Sequence, residues 1–328
     1  MSKILVTGGA GFVGYFLIKK LLEDHNNEIV AIDNMARGRI DEEFKQLISN
    51  KNITFIQGDL TDNRVFVSLD KDFDYIYHLA AVIGVKNVMD NPDKVLYVNA
   101  ISTLNLIEFA KNMKSLKKIL FSSTSEIYAG TLKHFDIDVP TDENVALTLD
   151  DIKSPRTTYM LSKMYGESIL FNYGEKYNIP FSIVRYHNVY GPRMGFLHVI
   201  PEMFIKITNQ DVVKVASPEH TRAMCFVDDA VEMTIRACKS ENTNKEILNI
   251  GNQEQEISII NLVETIAKVL NKDIDIEKLE DTPGSPLRRC PDISKIVALI
   301  DYTPKINLEE GIKRTFEWYK DKLDNRYE

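Results

Sequence analysis

The chain has 328 residues, of which 44% are hydrophobic and 27% are charged, and its formal net charge at pH 7 is −8. This composition is ordinary for a globular protein, and the length suffices for one large domain or two interlocked domains. The negative charge argues against a nucleic-acid partner, and no stretch approaches the roughly 20 apolar residues of a membrane-spanning helix. Three widely spaced cysteines fit a reducing cytoplasm and give no metal-site spacing. We therefore expect a cytoplasmic protein without a metal ion, a nucleic-acid partner or a membrane partner.

A glycine-rich turn follows the first apolar run of the chain. Residues 3–6 are predicted to form a buried strand rather than part of a signal peptide, and residues 15–23 have the apolar spacing of a helix. Gly8, Gly11 and Gly14 connect the two. Glycines at this spacing allow a sharp turn and a close approach to a pyrophosphate, which the helix N-terminus attracts. The order of strand, glycines and helix is typical of dinucleotide-binding folds.

Asp33 ends the next apolar run, about 20 residues further along the chain. A carboxylate at this position can accept both ribose hydroxyls of NAD, and it repels the 2′-phosphate of NADP. Arg37 and Arg39 follow shortly and could bind such a phosphate, so NADP stays open at this point. The sequence favours NAD.

Strands and helices alternate in the first half of the chain. This alternation predicts a parallel sheet with helices on both faces, and ligands of such sheets bind at the carboxyl ends of the strands. The expected fold class is α/β, a doubly wound parallel sheet of the Rossmann type with a smaller mixed α/β lobe for the substrate. We expect the Rossmann domain to span residues 1–185 with returns near 225–250, and the lobe to span 186–224 and 251–328. Further predicted strands are 53–57, 75–79, 118–121 and 181–185, and predicted helices include 94–111 and 154–177, the latter with Pro155 in its first turn.

Tyr159 and Lys163 are four residues apart in a predicted helix, so both project from one face. A tyrosine base near neutral pH needs a pKa lowered by about three units, or about 4 kcal/mol, which an ammonium and a cationic nicotinamide can supply. Thr124, at the end of a predicted strand, can hydrogen-bond the same substrate oxygen. These groups would take a proton from a hydroxyl while NAD takes the hydride from the same carbon. The same spacing occurs at Tyr15 and Lys19, where we expect packing.

At this point the chain resembles the extended short-chain dehydrogenase/reductase family, in the branch that modifies nucleotide sugars. The resemblance runs essentially from end to end. It implies a nucleotide-sugar substrate, NAD as cofactor, and a homodimer or dimer of dimers formed through the helices near 94–111 and 155–177. The residues that carry it are 7–14, Asp33, Asp59, Leu60, 78–81, Asn99, 122–128, Tyr159, Lys163, 185–193, Thr221, Arg222, 227–230, 249–251, Arg288, Arg289 and 291–295.

The resemblance also assigns roles to individual residues. Asp59 and Leu60 would flank the adenine, and Ala80 and Ala81 would line the cofactor pocket. His187 is expected to pack or to form a pocket wall rather than to act as a base. Asn188, Arg222 and Arg289 would bind the diphosphate of the substrate, which suits the planar guanidinium forks. The full set implied for the cofactor is Gly8, Gly11, Phe12, Val13, Asp33, Asn34, Asp59, Leu60, Leu79, Ala80, Ala81, Asn99, Tyr159 and Lys163.

The reaction class depends on the residues that follow Thr124. The shared opening step of the family is oxidation of the sugar at C4, and Ser125 and Glu126 would act in the step that follows, with Glu126 as the base that removes the C5 proton. The triplet resembles GDP-mannose 4,6-dehydratases and UDP-glucuronate decarboxylases, and it departs from dTDP-glucose dehydratases, which have an aspartate in place of Ser125. We predict a nucleotide-sugar 4,6-dehydratase, a lyase of carbohydrate biosynthesis with Thr124, Ser125, Glu126, Tyr159 and Lys163 as catalytic residues.

Three alternatives stay open from the sequence. A decarboxylase would use Glu126 to orient the sugar, because a 4-keto uronate loses CO₂ with little help. A 4-epimerase needs no acidic group at this position. A catalytically silent NAD-binding regulator would have no need for the tyrosine, lysine and threonine together.

Residues 129–153 are expected either to close over the sugar as a lid or to form a solvated excursion.

Overall fold

The computed structural model describes residues 1–70, 72–282 and 284–323. Its strands are β1 Ser2–Thr7, β2 Asn27–Asp33, β3 Ile53–Gln57, β4 Tyr75–His78, β5 Lys118–Thr124, β6 Phe181–Tyr186, β7 Val189–Tyr190, β8 Val212–Val215, β9 Thr221–Ala223, β10 Cys225–Phe226, β11 Glu246–Ile250, β12 Glu256–Ser258, β13 Asp275–Lys278 and β14 Arg288–Arg289. Its α-helices are α1 Phe12–Leu21, α2 Glu42–Ile48, α3 Arg64–Val67, α4 Val85–Asp90, α5 Pro92–Ala110, α6 Ala129–His134, α7 Thr157–Tyr177, α8 Val199–Asn209, α9 Val227–Lys239, α10 Ile259–Leu270, α11 Ser294–Ile300 and α12 Leu308–Tyr319.

Seven parallel strands form the central sheet in the order β11-β6-β5-β4-β1-β2-β3. The six strands predicted in the first half are confirmed, and β11 joins them from late in the chain by pairing with β6. Helices α1 and α9 cover one face of the sheet, and α5 and α7 cover the other. The strand order reverses between β1 and β4, so a crevice opens beyond their carboxyl ends.

Smaller sheets make up a second lobe, with strand orders β10-β7, β12-β9-β14 and β13-β8. Helix α9 links this lobe to the main sheet. Near its start, the Asp229 carboxylate accepts hydrogen bonds from the Tyr302 hydroxyl and from the backbone N–H groups of Lys305 and Ile306. One buried acid thereby anchors the segment that leads into α12. No helix in the three described ranges is long and apolar enough to cross a membrane.

Helix α7 begins at Thr157, three residues later than predicted. Pro155 belongs to a preceding turn, in which the Thr157 N–H donates to the Ser154 carbonyl and the Thr158 N–H donates to the Pro155 carbonyl. The Thr157 hydroxyl also donates to the carbonyl oxygens of Asp151 and Ser154. Hydroxyl groups that bond nearby backbone in this way compete with helix formation and delay the first helical turn.

Candidate active site

The glycine-rich turn has the geometry that a dinucleotide requires. Gly8 has φ +74°, and a Cβ at this position would lie 2.8 Å from the Ala80 nitrogen. A Cβ on Gly14 would overlap the Gly8 carbonyl oxygen. Helix α1 follows with Gly11 as its cap, which provides no side chain to bond the N–H groups of the first turn. A close backbone approach and a helix N-terminus without a side-chain cap fit the phosphates of NAD.

Asp33 lies at the carboxyl end of β2, beside this turn. Its carboxylate accepts hydrogen bonds from the Ala10 N–H at 3.1 Å and from the Met35 N–H at 2.8 Å. Burial raises the pKa of Asp33, while these two bonds lower it. The Arg37 guanidinium lies close enough to Tyr159 to lower the pKa of that phenol. Asp33 thus lies at the position where a carboxylate would face the ribose hydroxyls and repel a 2′-phosphate, which favours NAD.

The other predicted cofactor residues lie along the same edge of the sheet. The Asn34 amide donates to the Asp59 carboxylate at 3.5 Å, and Leu60 is buried behind them. Phe12 and Val13 open α1, and Leu79, Ala80 and Ala81 follow β4, all of them half-buried.

Asn99, which was predicted to bind the cofactor, uses its side-chain amide for hydrogen bonds within the protein. Its amide oxygen accepts a hydrogen bond from the Val82 N–H at 2.7 Å. Its amide nitrogen donates to the Val82 carbonyl at 3.1 Å and to the Ser162 hydroxyl at 3.0 Å. Both amide hydrogens are therefore used, and Asn99 fastens the segment after β4 to helix α7.

Tyr159 and Lys163 share one face of α7, and burial shifts the pKa of both side chains. Burial and the Glu126 carboxylate raise the pKa of Tyr159, and a hydrogen bond with Thr124 lowers it only in part. The Lys163 ammonium donates to the Ser122 carbonyl at 2.6 Å and lies over the Phe121 ring. Burial lowers the pKa of Lys163 to about 7. In the protein alone the pKa of the phenol is therefore raised, and its lowering by the lysine and a cationic nicotinamide together stays a prediction.

Thr124 is the last residue of β5, and a 3₁₀ turn over Ser125–Tyr128 follows it. The Thr124 hydroxyl accepts a hydrogen bond from the Glu126 N–H at 3.2 Å, which starts this turn. Ser125 is buried, whereas the Glu126 side chain is 38% exposed. The turn brings the threonine hydroxyl and the glutamate carboxylate to the same end of the sheet as Tyr159.

Arginines surround Glu126. Its carboxylate lies 2.5 Å from the Arg289 guanidinium, and this contact lowers the pKa of Glu126, with further lowering by Arg156 and Arg222. Arg222 and Arg289 are register partners on the adjacent strands β9 and β14. Burial lowers the pKa of Arg222 to about 10, with a further contribution from Arg289. Arg222 and Arg289 together carry two positive charges beside this one carboxylate, and an anionic ligand would balance the surplus.

Two predicted substrate residues bury polar atoms that have no partner within the described chain, Asn188 Oδ1 and Arg289 Nε. Buried polar groups are normally hydrogen-bonded, so both atoms are suited to a ligand. Their neighbour His187 bonds Asn249, and burial lowers the pKa of His187 to about 3. The imidazole is therefore neutral, and its Nδ1 is likewise buried without a partner in the described chain, so packing or a pocket wall stays the expectation for His187.

Sequence reasoning missed a buried ionic network behind the site. Arg185 in β6 pairs with Glu167 through Nη2 at 2.7 Å and Nε at 3.0 Å. Its Nη1 donates to the Tyr128 hydroxyl and to the Glu143 carbonyl. The Ser123 hydroxyl also donates to Glu167. The available signal was a lone arginine within the apolar run of a buried strand, because such a charge needs a buried partner.

Residues 129–153, for which either a lid over the sugar or a solvated excursion is expected, pack against neighbouring parts of the chain. Helix α6 packs against the following loop so closely that a Cβ on Gly130 would overlap the Thr148 carbonyl. The Thr131 hydroxyl donates to the Ala146 carbonyl, and apolar side chains of this segment pack on Ile127 and Tyr128. Backbone groups of residues 139–143 bond the rest of the chain, for example the Thr141 N–H, which donates to the Cys290 carbonyl, so the segment is fixed to both the catalytic turn and the second lobe.

Over residues 5–315 the chain matches the family described as GDP-mannose 4,6 dehydratase. It is 34% identical over 313 residues to UDP-glucuronic acid decarboxylase 6 of Arabidopsis thaliana, with 94% of this chain and 86% of that one covered. UDP-glucose 4-epimerase of Thermotoga maritima, solved with UDP-glucose, is similar in structure with a TM-score of 0.85 at 27% identity, covering 98% of this chain and 99% of that one. UDP-glucuronic acid 4-epimerase of Bacillus cereus, solved with UDP-glucuronic acid and NAD, has a TM-score of 0.84 at 27% identity, covering 97% and 99%.

The match spans nearly the whole chain, and it agrees with the glycine-rich turn, the tyrosine and lysine on α7 and the order of the seven strands. The chain therefore belongs to the extended short-chain dehydrogenases/reductases that modify nucleotide sugars, an NAD-dependent family of dehydratases, decarboxylases and epimerases.

Proposed function

We propose that this enzyme is a decarboxylase that acts on a nucleoside diphosphate uronic acid. The arginine cluster around Glu126 is the observation that carries the proposal. Arg289 holds Glu126 as an anion, so Glu126 is poorly suited to protonate the C6 hydroxyl that a dehydratase must expel. The positive charge that Arg222 adds beside the Glu126–Arg289 pair suits a substrate with a carboxylate in addition to its diphosphate. The similarity to a UDP-glucuronic acid decarboxylase supports the same reading.

The first step is oxidation at C4. NAD, when bound, supplies the acceptor for the C4 hydride and a positive charge beside the site. Tyr159 takes the C4 hydroxyl proton, and Thr124 holds the same oxygen by a hydrogen bond. Because burial raises the pKa of Tyr159 in the protein alone, its phenolate forms only with further positive charge nearby. Lys163 is anchored on the Ser122 carbonyl, near the carboxyl end of β5 that carries Thr124.

The second step uses the new ketone. A C4 ketone makes the C6 carboxylate a β-keto acid, so the C5–C6 bond breaks and its electron pair enters the C4–C5 enolate as CO₂ leaves. Thr124 and Tyr159 hydrogen-bond the enolate oxygen. Glu126 orients the sugar and abstracts no proton in this scheme. A solvent proton then adds at C5, the hydride returns to C4, and Tyr159 gives its proton back to the C4 oxygen.

The 4,6-dehydratase predicted from the sequence is the second candidate. It is favoured by the ionised Glu126, which can act as the C5 base, and by the description of the matching family. Its weakness is the missing acid for C6, because Ser125 is not an acid and Glu126 has a lowered pKa. A 4-epimerase is the third, since it needs neither group.

The test is incubation of the purified protein and NAD with UDP-glucuronate, UDP-glucose, GDP-mannose and dTDP-glucose, followed by mass spectrometry. We expect loss of CO₂ from the uronate and no reaction of the neutral sugars. In D₂O the pentose product should carry one deuterium at C5. Tyr159→Phe serves as the control and should form no product while it still binds NAD.

The other outcomes each select another function. Loss of water from a neutral sugar, with the uronate unchanged, would establish the dehydratase. A product of unchanged mass and altered retention would establish an epimerase. NAD binding without turnover of any of the four substrates would favour the silent regulator.

A further inference from the structure

Arg193 follows the Tyr190-Gly191-Pro192 segment and takes no part in the proposed chemistry. Its backbone has φ +68°, a left-handed conformation that is uncommon for a residue with a side chain. Its side chain is 7% exposed, and its guanidinium stacks on the Tyr15 ring with the central carbon 4.2 Å from the ring centroid. The backbone conformation thus directs a cation of the second lobe onto helix α1, which starts at the glycine-rich turn.

The same guanidinium pairs with two acids at the start of α2. Its Nη1 lies 2.7 Å from the Asp41 carboxylate and 3.1 Å from the Glu43 carboxylate. Glu43 also accepts a hydrogen bond from the Trp318 indole at 2.7 Å, on the C-terminal helix α12. We name Arg193, Tyr15, Asp41, Glu43 and Trp318 the latch. Its members come from α1, α2, α12 and the loop before α8.

The latch holds the far end of the loop formed by residues 34–41. This loop leaves β2 directly after Asp33 and crosses the glycine-rich turn. A Cβ on Gly38 would lie only 2.6 Å from the Ala10 Cβ, so the Gly38 backbone packs closely against the Ala10 methyl group of the glycine-rich turn. The loop also carries Arg37, whose guanidinium approaches within 3.8 Å of the Cβ position on Gly195. The loop thus lies between the expected cofactor site and the second lobe.

We propose that Arg193 is a positioning residue that latches the 34–41 loop against the glycine-rich turn and thereby slows the release of NAD. Every reaction of this family in which the hydride returns to the sugar regenerates NAD in place, so the cofactor has no need to leave between turnovers. A closed loop then protects the site without slowing the cycle. The inference does not depend on the choice between decarboxylase, dehydratase and epimerase.

The experiment is a stopped-flow measurement of NADH release from the full-length protein, with excess NAD as the competitor and NADH fluorescence as the signal. Arg193→Gln should release NADH at least tenfold faster, which corresponds to about 1.4 kcal/mol. The double variant Asp41→Asn with Glu43→Gln should do the same, and asparagine still caps α2 in place of Asp41. Combining all three changes should add little, because both sets remove one interaction.

The matched control is Glu310→Gln, which breaks the exposed pair with Arg314 on the same C-terminal helix. It should release NADH at the wild-type rate. Wild-type release from Arg193→Gln would overturn the proposal, and so would equal acceleration by the control or fully additive effects of the two sets. If Arg193→Gln does not fold, the double variant of the two more exposed acids decides by the same criterion.

Discussion

The buried pair of Arg185 and Glu167 allows a sharp prediction about stability. Both side chains are almost fully buried, with 2% and 7% exposure. In Glu167→Gln, the new amide nitrogen faces an N–H donor of the Arg185 fork at either carboxylate position, and only the Ser123 hydroxyl could turn to accept from it. The guanidinium would then be a buried charge without a counter-charge. Breaking a buried pair on one side costs about 3–5 kcal/mol.

The Tyr128→Phe variant gives a second loss of unfolding free energy with which the loss in Glu167→Gln can be compared. It removes one hydrogen bond to Arg185 Nη1, which keeps its bond to the Glu143 carbonyl at 2.9 Å. It also leaves the Asn249 amide oxygen with His187 as its remaining side-chain partner. The loss of the hydrogen bond to the charged group costs about 1.5–3 kcal/mol, and the loss of the neutral bond to Asn249 costs about 0.5–1.5 kcal/mol.

The assay is urea unfolding at neutral pH, followed by circular dichroism. The control is Glu175→Gln, which breaks an exposed pair between α7 and Lys245 and should cost less than about 1 kcal/mol. The expected order of destabilisation is Glu167→Gln, then Tyr128→Phe, then Glu175→Gln. A Glu167→Gln protein as stable as the Glu175→Gln protein would refute the reasoning, because the guanidinium would then have a partner that the structure does not contain.

Further predictions concern the reacting groups, the cofactor and the assembly. Tyr159→Phe should abolish turnover yet leave NAD affinity within about threefold in fluorescence titration, a difference of less than about 1 kcal/mol; a large loss of affinity would make the phenol a binding group. Because burial lowers the pKa of Lys163 from 10.5 to about 7, the unfolded chain binds one more proton between these values, so stability should rise with pH across this window. Lys163→Met should lack that rise in unfolding experiments, and equal slopes would contradict the lowered pKa. Asp33→Ala should weaken NAD more than NADP in binding assays, whereas equal weakening would remove its ribose role. Tyr97 on α5 and Tyr165 on α7 are exposed on the face expected to form the dimer, and changing both to glutamate should give monomers in light scattering; an unchanged dimer would place the interface elsewhere.

The sequence predicted the parts of this protein that depend on local backbone chemistry. The spacing of Gly8, Gly11 and Gly14 predicts a turn because only glycine tolerates the φ of the first position and the contact at the last. The period of four that joins Tyr159 and Lys163 follows from helix geometry. Alternating apolar runs were sufficient to predict six parallel strands. Each of these rules depends on residues that are close together in the chain, so the amino-acid order alone is enough to apply it.

The protonation states of the site follow only from the tertiary structure. Glu126 and Arg289 are 163 positions apart, and they form an ion pair only after β14 aligns beside β9 in the second lobe. Lys163 has a lowered pKa because β5 and α7 bury it, and this burial cannot be predicted from the spacing of residues along the chain. Charges and desolvation act through space, whereas backbone preferences act along the chain. The fold and the cofactor turn could therefore be predicted from the sequence. The charge states of Glu126 and Lys163, on which the proposed reaction depends, were decided by tertiary packing.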